Sequence, residues 1–445
     1  MYDLEAFMKE LQRKNPDQPE FIQAVRGVLS SIIDLVNGNP VYEKNRILER
    51  MTEPDRILQF RVEWENDKGE LEVNRAWRVQ FNNAIGPYKG GIRYHKSVNL
   101  GILKFLAFEQ TFKNSLTTLP MGGGKGGCDF DPAGKSDREI MRFCRAYMME
   151  LQKYIGPDTD VPAGDLGCGG REIGYMYGMY KQIKTENTGV LTGKDMSFGG
   201  SILRPEATGY GAIYFAEEML KDRGDKLEGK RIAISGYGNV AWGVAKKASQ
   251  LGAKVVTLSG RKGFVLDEEG VGTQEKWDFL EALRASNTGN VEAYARRFGA
   301  KFFPGEKPWG VKCDMAFPCA SQNELDLADA KTLVAGGCKY VVESSNMGDT
   351  PEATEYFQSH GVAFAPGKAA NAGGVACSGL EMSQDAMHYR WSAAEVDEKL
   401  HEIMQSIHKA CVDYGRRADG TVDYVRGANA ASFKHVADTM LKLGY

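Results

Sequence analysis

The sequence predicts an α/β protein of two domains. Three observations carry the prediction. The chain has 445 residues, which at about 150 residues per domain allows two or three domains. Beyond residue 230, short apolar runs alternate with helix-like runs, the pattern of parallel βαβ units. Before residue 200 the texture differs, with paired alternating runs followed by clusters of glycine.

The composition excludes several classes. With 42% hydrophobic and 26% charged residues, the chain has material for a large core and is not a disordered polymer. Lys and Arg number 56 against 59 Asp and Glu, a net charge of −3, without the basic excess of a nucleic-acid binder. No run approaches the roughly 20 apolar residues of a membrane span. The start, Met1-Tyr2-Asp3-Leu4-Glu5, carries early acids and no apolar signal core. Eight cysteines are too dilute for a disulfide scaffold and form no Cys-x-x-Cys, so reduced thiols in a cytoplasmic protein are expected.

In chain order, residues 1–55 are rich in charge and helix formers. Residues 56–81 alternate with period two, as in Phe60-Arg61-Val62-Glu63-Trp64 and Trp77-Arg78-Val79-Gln80-Phe81, and read as paired strands. Glycine clusters follow at 86–91, 121–127, 163–167 and 197–200, with helical segments expected at 100–114 and 137–155. A helix is expected at 205–221 and strands at 231–235 and 254–259. One long helix or two is expected from 380 to about 414, and a last helix at 431–445.

The strand at 231–235 runs directly into Gly236-Tyr237-Gly238-Asn239-Val240-Ala241, then an apolar helix, then the second strand. This is G-x-G-x-x-A in strand–turn–helix–strand context, the dinucleotide-binding pattern. Gly236 makes the turn, Gly238 admits the pyrophosphate, and Asn239 and Val240 open the helix whose free N–H groups meet the phosphates. NAD binders usually place an acid at the end of the second strand. Here that end reads Ser259-Gly260-Arg261-Lys262, with no acid before Asp267. A hydroxyl and two cations suit a 2′-phosphate, so NADP is expected to be used, alone or beside NAD; a solvated charged turn is the other reading.

Three lysines stand out. Lys89 precedes Gly90-Gly91, Lys113 lies in a helical segment, and Lys125 has glycine at five of its six flanking positions. Backbone can wrap Lys125 and a ligand can approach it. The run is not an ATP-binding phosphate loop, because Leu119 and Gly126 stand where the first glycine and the Ser/Thr belong. Enclosure desolvates a lysine, lowers its pKa and makes it a usable proton-transfer group. Asp165, among small residues, is either a turn aspartate or a proton-carrying partner. Lys113 by itself reads as a solvated face. The six histidines show no metal-ligand spacing, and Ser378 lacks the glycines of a nucleophile elbow.

Together these motifs resemble the small hexameric glutamate dehydrogenases of the Glu/Leu/Phe/Val dehydrogenase superfamily. The resemblance is carried in order by Pro87-Tyr88-Lys89-Gly90-Gly91-Ile92-Arg93, the run from Leu119 to Gly127, Asp160-Val161-Pro162-Ala163-Gly164-Asp165, Arg204-Pro205-Glu206-Ala207-Thr208-Gly209-Tyr210-Gly211 and the dinucleotide turn. It covers nearly the whole chain. The segment after Met382 is too short for the antenna of the animal enzymes.

The resemblance implies a substrate-binding and oligomerisation domain at 1–199, a Rossmann-like NAD(P) domain at 200–420 across a cleft, and a C-terminal helix at 421–445 returning to the first domain. It implies that Lys89, with Gly90 beside it, and Ser378 bind the side-chain carboxylate. Gln110, Lys113 and Gly164 would hold the α-carboxylate, with Arg204 and Asn371 lining the cleft. Lys125 would activate water and ammonia, with Asp165 carrying protons. Thr208, Asn239, Ala320, Asn323 and Asn346 would contact NADP or NAD. The expected partners are glutamate, 2-oxoglutarate and ammonium within a homohexamer. Two rivals are an apolar amino-acid dehydrogenase, which would put an apolar residue at 89, and a redox-sensing regulator, which would lose the lysines.

Overall fold

The computed structural model describes residues 1–285 and 290–444. Its contacts divide the chain into two units. The first comprises Met1–Ile202, Ser378–Val396 and Asn429–Tyr445; the second comprises Leu203–Cys377 and Asp397–Ala428. The resemblance implies one domain over residues 200–420 and a C-terminal return from 421. The later crossings instead fall inside the helices Gly373–Met387, Ala393–Gly415 and Tyr424–Leu443. A helix that passes uninterrupted from one unit to the other shows no change in composition or period to mark the crossing.

Unit 1 is built on a five-stranded sheet. Its strands are β1 (Arg56–Glu65), β2 (Leu71–Asn82), β3 (Tyr88–Tyr94), β4 (Gly123–Cys128) and β5 (Asp160–Gly164), in the order β1-β2-β4-β3-β5. The expected paired strands are β1 and β2, which form an antiparallel hairpin from Arg56↔Gln80 to Glu65↔Leu71. β4, β3 and β5 are parallel to one another. Alternation along β2 sends Trp77, Val79 and Phe81 into a core shared with helices Pro19–Asn37, Leu100–Leu116 and Tyr424–Leu443. Ala76 faces the opposite core, with helices Asp137–Leu151 and Gly170–Lys184. The sheet is therefore covered on both faces.

The glycines around Lys125 form a buried strand, β4, rather than an open loop. Their purpose is close approach: a methyl at Gly123 would run into Thr111 of the covering helix, and one at Gly90 into the Gly124 carbonyl.

Unit 2 contains a parallel sheet of β6 (Arg231–Ile234), β7 (Lys254–Val255), β11 (Met315–Phe317), β12 (Tyr340–Val342) and β13 (Ala363–Ala365), ordered β13-β12-β11-β6-β7. The single strand expected at 254–259 is split. After Val256, β8 (Thr257–Gly260) joins β9 (Gly263–Leu266) and β10 (Lys301–Pro304) in a separate antiparallel sheet. Side-chain hydroxyls explain the split. Ile234 N–H donates to Thr257 Oγ1 (2.7 Å), which donates to the Ile234 carbonyl (2.8 Å), in place of ladder bonds. The region 380–414 resolves into two helices, broken near His388, whose φ is 51°. Among the described residues no helix is long and apolar enough to cross a membrane.

Candidate active site

In unit 1, three parallel strands place the chemistry in a row. Lys125 on β4 lies one register step from the Ile92↔Gly126 pair, and Ile92 on β3 faces Gly164 on β5. Gly91 lies at the centre of the row. A methyl there would sit 2.7 Å from the Gly164 carbonyl, 2.8 Å from Asp165 Cβ and 3.2 Å from Lys125 Nζ. Lys125 Nζ is 3.3 Å from Asp165 Oδ1, and Arg93 Nε donates to Asp165 Oδ2 at 2.7 Å.

Lys125 is only 5% exposed. Burial pushes its pKa below the ordinary lysine value, and the Arg93 cation pushes the same way against Asp165. Burial would raise the Asp165 carboxyl, but Lys125 and Arg93 outweigh it and hold it down at about 2. The pair thus joins an amine that loses its proton easily to a carboxylate that stays ionised.

Lys89 is 1% exposed, and its ammonium donates to Thr192 Oγ1 at 2.7 Å. Gln110 lies over Gly90, its Cγ 3.3 Å from where a Gly90 methyl would be, and half-buried Lys113 is one helical turn further on. Asn114 braces the group, donating to the carbonyls of Lys89 (3.1 Å) and Gly122 (2.5 Å). Ser378 is buried; its neighbour Gly379 packs on Leu119 and Met121, which leads into the glycine strand. Unit 1 thus gathers Lys89, Gly90, Gln110, Lys113, Lys125, Gly164, Asp165 and Ser378 around β3, β4 and their covering helices.

In unit 2, the chain leaves β6 for β7 on one side and returns to β11 on the other, so a crevice opens at the carboxyl ends of β6 and β11. The glycine turn is there. Gly236 has φ +79°, a conformation that favours glycine, and its Cα faces Ala320 across the switch point. Gly238 caps the helix Asn239–Gln250 without a side-chain bond, and the space a Cβ would take there is open. A dinucleotide pyrophosphate fits this cradle, with Asn239 and Val240 in the first turn.

Asn323, with φ 53°, donates its N–H to the Met347 carbonyl at 2.7 Å and ties the loop after β11 to the loop bearing Asn346. Asn371 Nδ2 donates to Asn346 Oδ1 at 2.9 Å. Thr208 in the helix Ala207–Asp222 is backed by Gly374, and Arg204 reaches the same glycine. Ser259 Oγ accepts from Gly236 N–H at 2.7 Å, beside the turn. Arg261 and Lys262 are exposed in the two-residue turn between β8 and β9. The next acid, Asp267, is buried and engaged by Lys276 (2.7 Å) and Tyr294 (2.6 Å).

Sequence reasoning missed Arg93 and Thr192. Arg93 had a signal, since Lys89, Gly91 and Arg93 alternate onto one face of β3. Thr192 had none, because its partner Lys89 is 103 residues away. One cluster arose without a motif. Glu217, Glu218 and His401 bring ligand atoms within 4.8 Å of one another, and the Lys221 ammonium pairs with both carboxylates.

Residues 199–444 match the family described as Glutamate/Leucine/Phenylalanine/Valine dehydrogenase, and residues 54–182 match its dimerisation domain. This chain belongs to the Glu/Leu/Phe/Val dehydrogenase family. It is 59% identical over 443 residues to the NAD-specific glutamate dehydrogenase of Bacteroides fragilis, covering 99% of each chain. It is 56% identical over 443 residues to the NADP-specific glutamate dehydrogenase of Escherichia coli, covering 100% of this chain and 99% of that one. A solved glutamate dehydrogenase structure superposes with a TM-score of 0.97 at 53% identity, covering 99% of both chains. The dehydrogenase family thus accounts for both the two-domain α/β architecture and the Rossmann-like sheet.

Proposed function

We propose that the chain catalyses the reversible oxidative deamination of L-glutamate to 2-oxoglutarate and ammonium, with NADP or NAD. The observation that carries this reading is the buried Lys125 amine, paired with half-buried Asp165 and Arg93, beside the strand β3 that carries Arg93 and the buried Lys89 ammonium.

Lys89 and Ser378 bind the distal carboxylate; Lys113, Gln110 and the backbone at Gly164 bind the α-carboxylate. A dianion needs separated cations, and a desolvated ammonium rewards a carboxylate more than a solvated one does. Lys125, as the free amine, takes the proton from water adding to the imine carbon, and Asp165 exchanges protons with the nitrogen. In unit 2, Gly236, Gly238, Asn239 and Val240 hold the pyrophosphate, with Thr208, Ala320, Asn323 and Asn346 toward the nicotinamide. The bound nicotinamide supplies hydride acceptance in deamination and hydride donation in amination. Also in unit 2, Ser259, Arg261 and Lys262 receive the adenosine ribose or its 2′-phosphate.

An apolar amino-acid dehydrogenase fits less well, because a carboxylate gains a charged hydrogen bond from the buried Lys89 ammonium and an apolar tail gains none. A homohexamer in the cytoplasm completes the proposal; the eight buried free thiols suit that reducing compartment. The test follows reduced-nicotinamide absorbance with 2-oxoglutarate, ammonium and each cofactor. Oxidation dependent on all three supports the assignment, and turnover with 2-oxovalerate exceeding that with 2-oxoglutarate refutes it.

A further inference from the structure

A buried ion group stands behind the Lys89–Thr192 contact and takes no direct part in the chemistry. Lys194, two residues after Thr192, has a fully buried ammonium. It donates to the Leu191 carbonyl (2.6 Å), Glu381 Oε1 (2.8 Å) and Asp385 Oδ2 (2.7 Å), which uses all three of its protons. Glu381, also fully buried, accepts in addition from the backbone N–H of Gly193 (3.0 Å) and Lys194 (3.3 Å). Its carboxylate therefore closes the backbone 191–194 around one point. On the other side, Thr192 N–H donates to the Pro162 carbonyl of β5 at 3.0 Å. Held from both sides, the Thr192 backbone is fixed, and its hydroxyl accepts from the Lys89 ammonium. Glu381 also sits one helical turn beyond Ser378, so one rigid helix sets both Ser378 and the 191–194 segment.

We propose that Glu381, acting through Lys194 and the 191–194 backbone, is a positioning residue that sets selectivity for the distal carboxylate of the substrate. The proposal rests on the glutamate dehydrogenase reading. The physical reason is that a fully buried carboxylate, Glu381, and a half-buried one, Asp385, bind one buried ammonium, so the segment cannot shift without leaving a buried charge unpaired. A displaced Thr192 hydroxyl would release the Lys89 ammonium from the geometry in which it meets a carboxylate. The binding of a substrate lacking that carboxylate does not depend on it.

The test compares 2-oxoglutarate with 2-oxovalerate, which has the same α-keto acid end and an apolar tail. The comparison is made for the full-length wild type and Glu381→Gln, with ammonium and saturating reduced cofactor. The expected result is a rise of about tenfold or more in KM for 2-oxoglutarate, the size of one charged hydrogen bond. The 2-oxovalerate kcat/KM and the cofactor KM should stay within about twofold, so the preference for the diacid collapses. Equal losses on both keto acids would mean a merely structural role and would overturn the proposal, as would an unchanged ratio. If Glu381→Gln does not fold, Asp385→Asn decides. Asp385 is at the margin of the group, lining a cavity of about 370 Å³ with Tyr177, Phe198 and Arg390, where the amide is accommodated. It should lower the ratio in the same direction by about threefold; no change overturns the proposal. A wild type inactive on 2-oxoglutarate defeats both readings, whereas an active, selective wild type with an equally selective variant defeats only this one.

Discussion

The Lys125 ammonium lies 3.3 Å from the Asp165 carboxylate, whose other oxygen is bound by Arg93 at 2.7 Å. Burial, with the Arg93 cation adding to it, makes the Lys125 ammonium easier to deprotonate, and Lys125 and Arg93 together keep Asp165 ionised. Lys125→Ala is expected to lower kcat by about 10² to 10⁴, the usual worth of a general acid–base group. Cofactor affinity, measured by fluorescence titration of the reduced cofactor, should be unchanged, because the dinucleotide turn lies in the other unit.

Arg93→Met should move the pH–rate profile. The Arg93 cation disfavours the Lys125 ammonium, so its removal raises the Lys125 pKa and shifts the acid limb of kcat to higher pH. Asp165 stays well below the working range in the wild type, at about 2, and contributes no limb above pH 5. A profile that moves to lower pH, or stays fixed, contradicts the electrostatic assignment.

Lys89→Leu combined with Ser378→Val should reduce glutamate kcat/KM by at least about a hundredfold, the cost of losing a desolvated charge pair and a hydrogen bond. Norvaline or leucine should become detectable substrates, because the buried ammonium no longer penalises an apolar tail. Steady-state assays on the two substrate classes decide it, and unchanged glutamate kinetics would refute the role of Lys89.

Arg261 and Lys262 test cofactor choice. Both are exposed in the β8–β9 turn, and Asp267 is committed to Lys276 and Tyr294. Replacing both cations with alanine should lower kcat/KM for NADPH about tenfold, by loss of charged contacts to a 2′-phosphate, and leave NADH within about threefold. An equal effect on both cofactors would leave the turn as a solvated surface.

Unit 2 should lose stability as pH rises. Burial raises Glu343 to about 7, against the backbone N–H groups of Asp349 and Gly367 that bind it, and burial raises Asp349 well above the carboxylate range, with Glu343 and Glu324 adding to it. A carboxyl whose folded pKa is raised stabilises fully below its unfolded value, near 4.5, and that contribution is lost as pH climbs through 7. Asp349→Asn removes a buried carboxyl that the fold must keep protonated, so its Tm should exceed that of the wild type more at pH 8 than at pH 5, read by calorimetry.

What the sequence determined by itself was everything carried by local pattern. The period-two runs marked the paired strands β1 and β2, and the glycine motif between an apolar strand and helix marked the tight turn at Gly236 and Gly238. Lys125 declared itself through its glycine flanks, although these proved to be a buried strand. Only the tertiary structure decided the pairings between distant segments. Thr192 gained its meaning from Lys89, 103 residues away, and Lys194 from Glu381, 187 residues away. The crossings between units at Ser378 and Asn429 were silent because helices run through them. The physical reason is range. Backbone periodicity and turn geometry act over a few residues and leave a mark in the chain, whereas a buried charge takes its counter-charge from whichever segment the fold brings within about 3 Å.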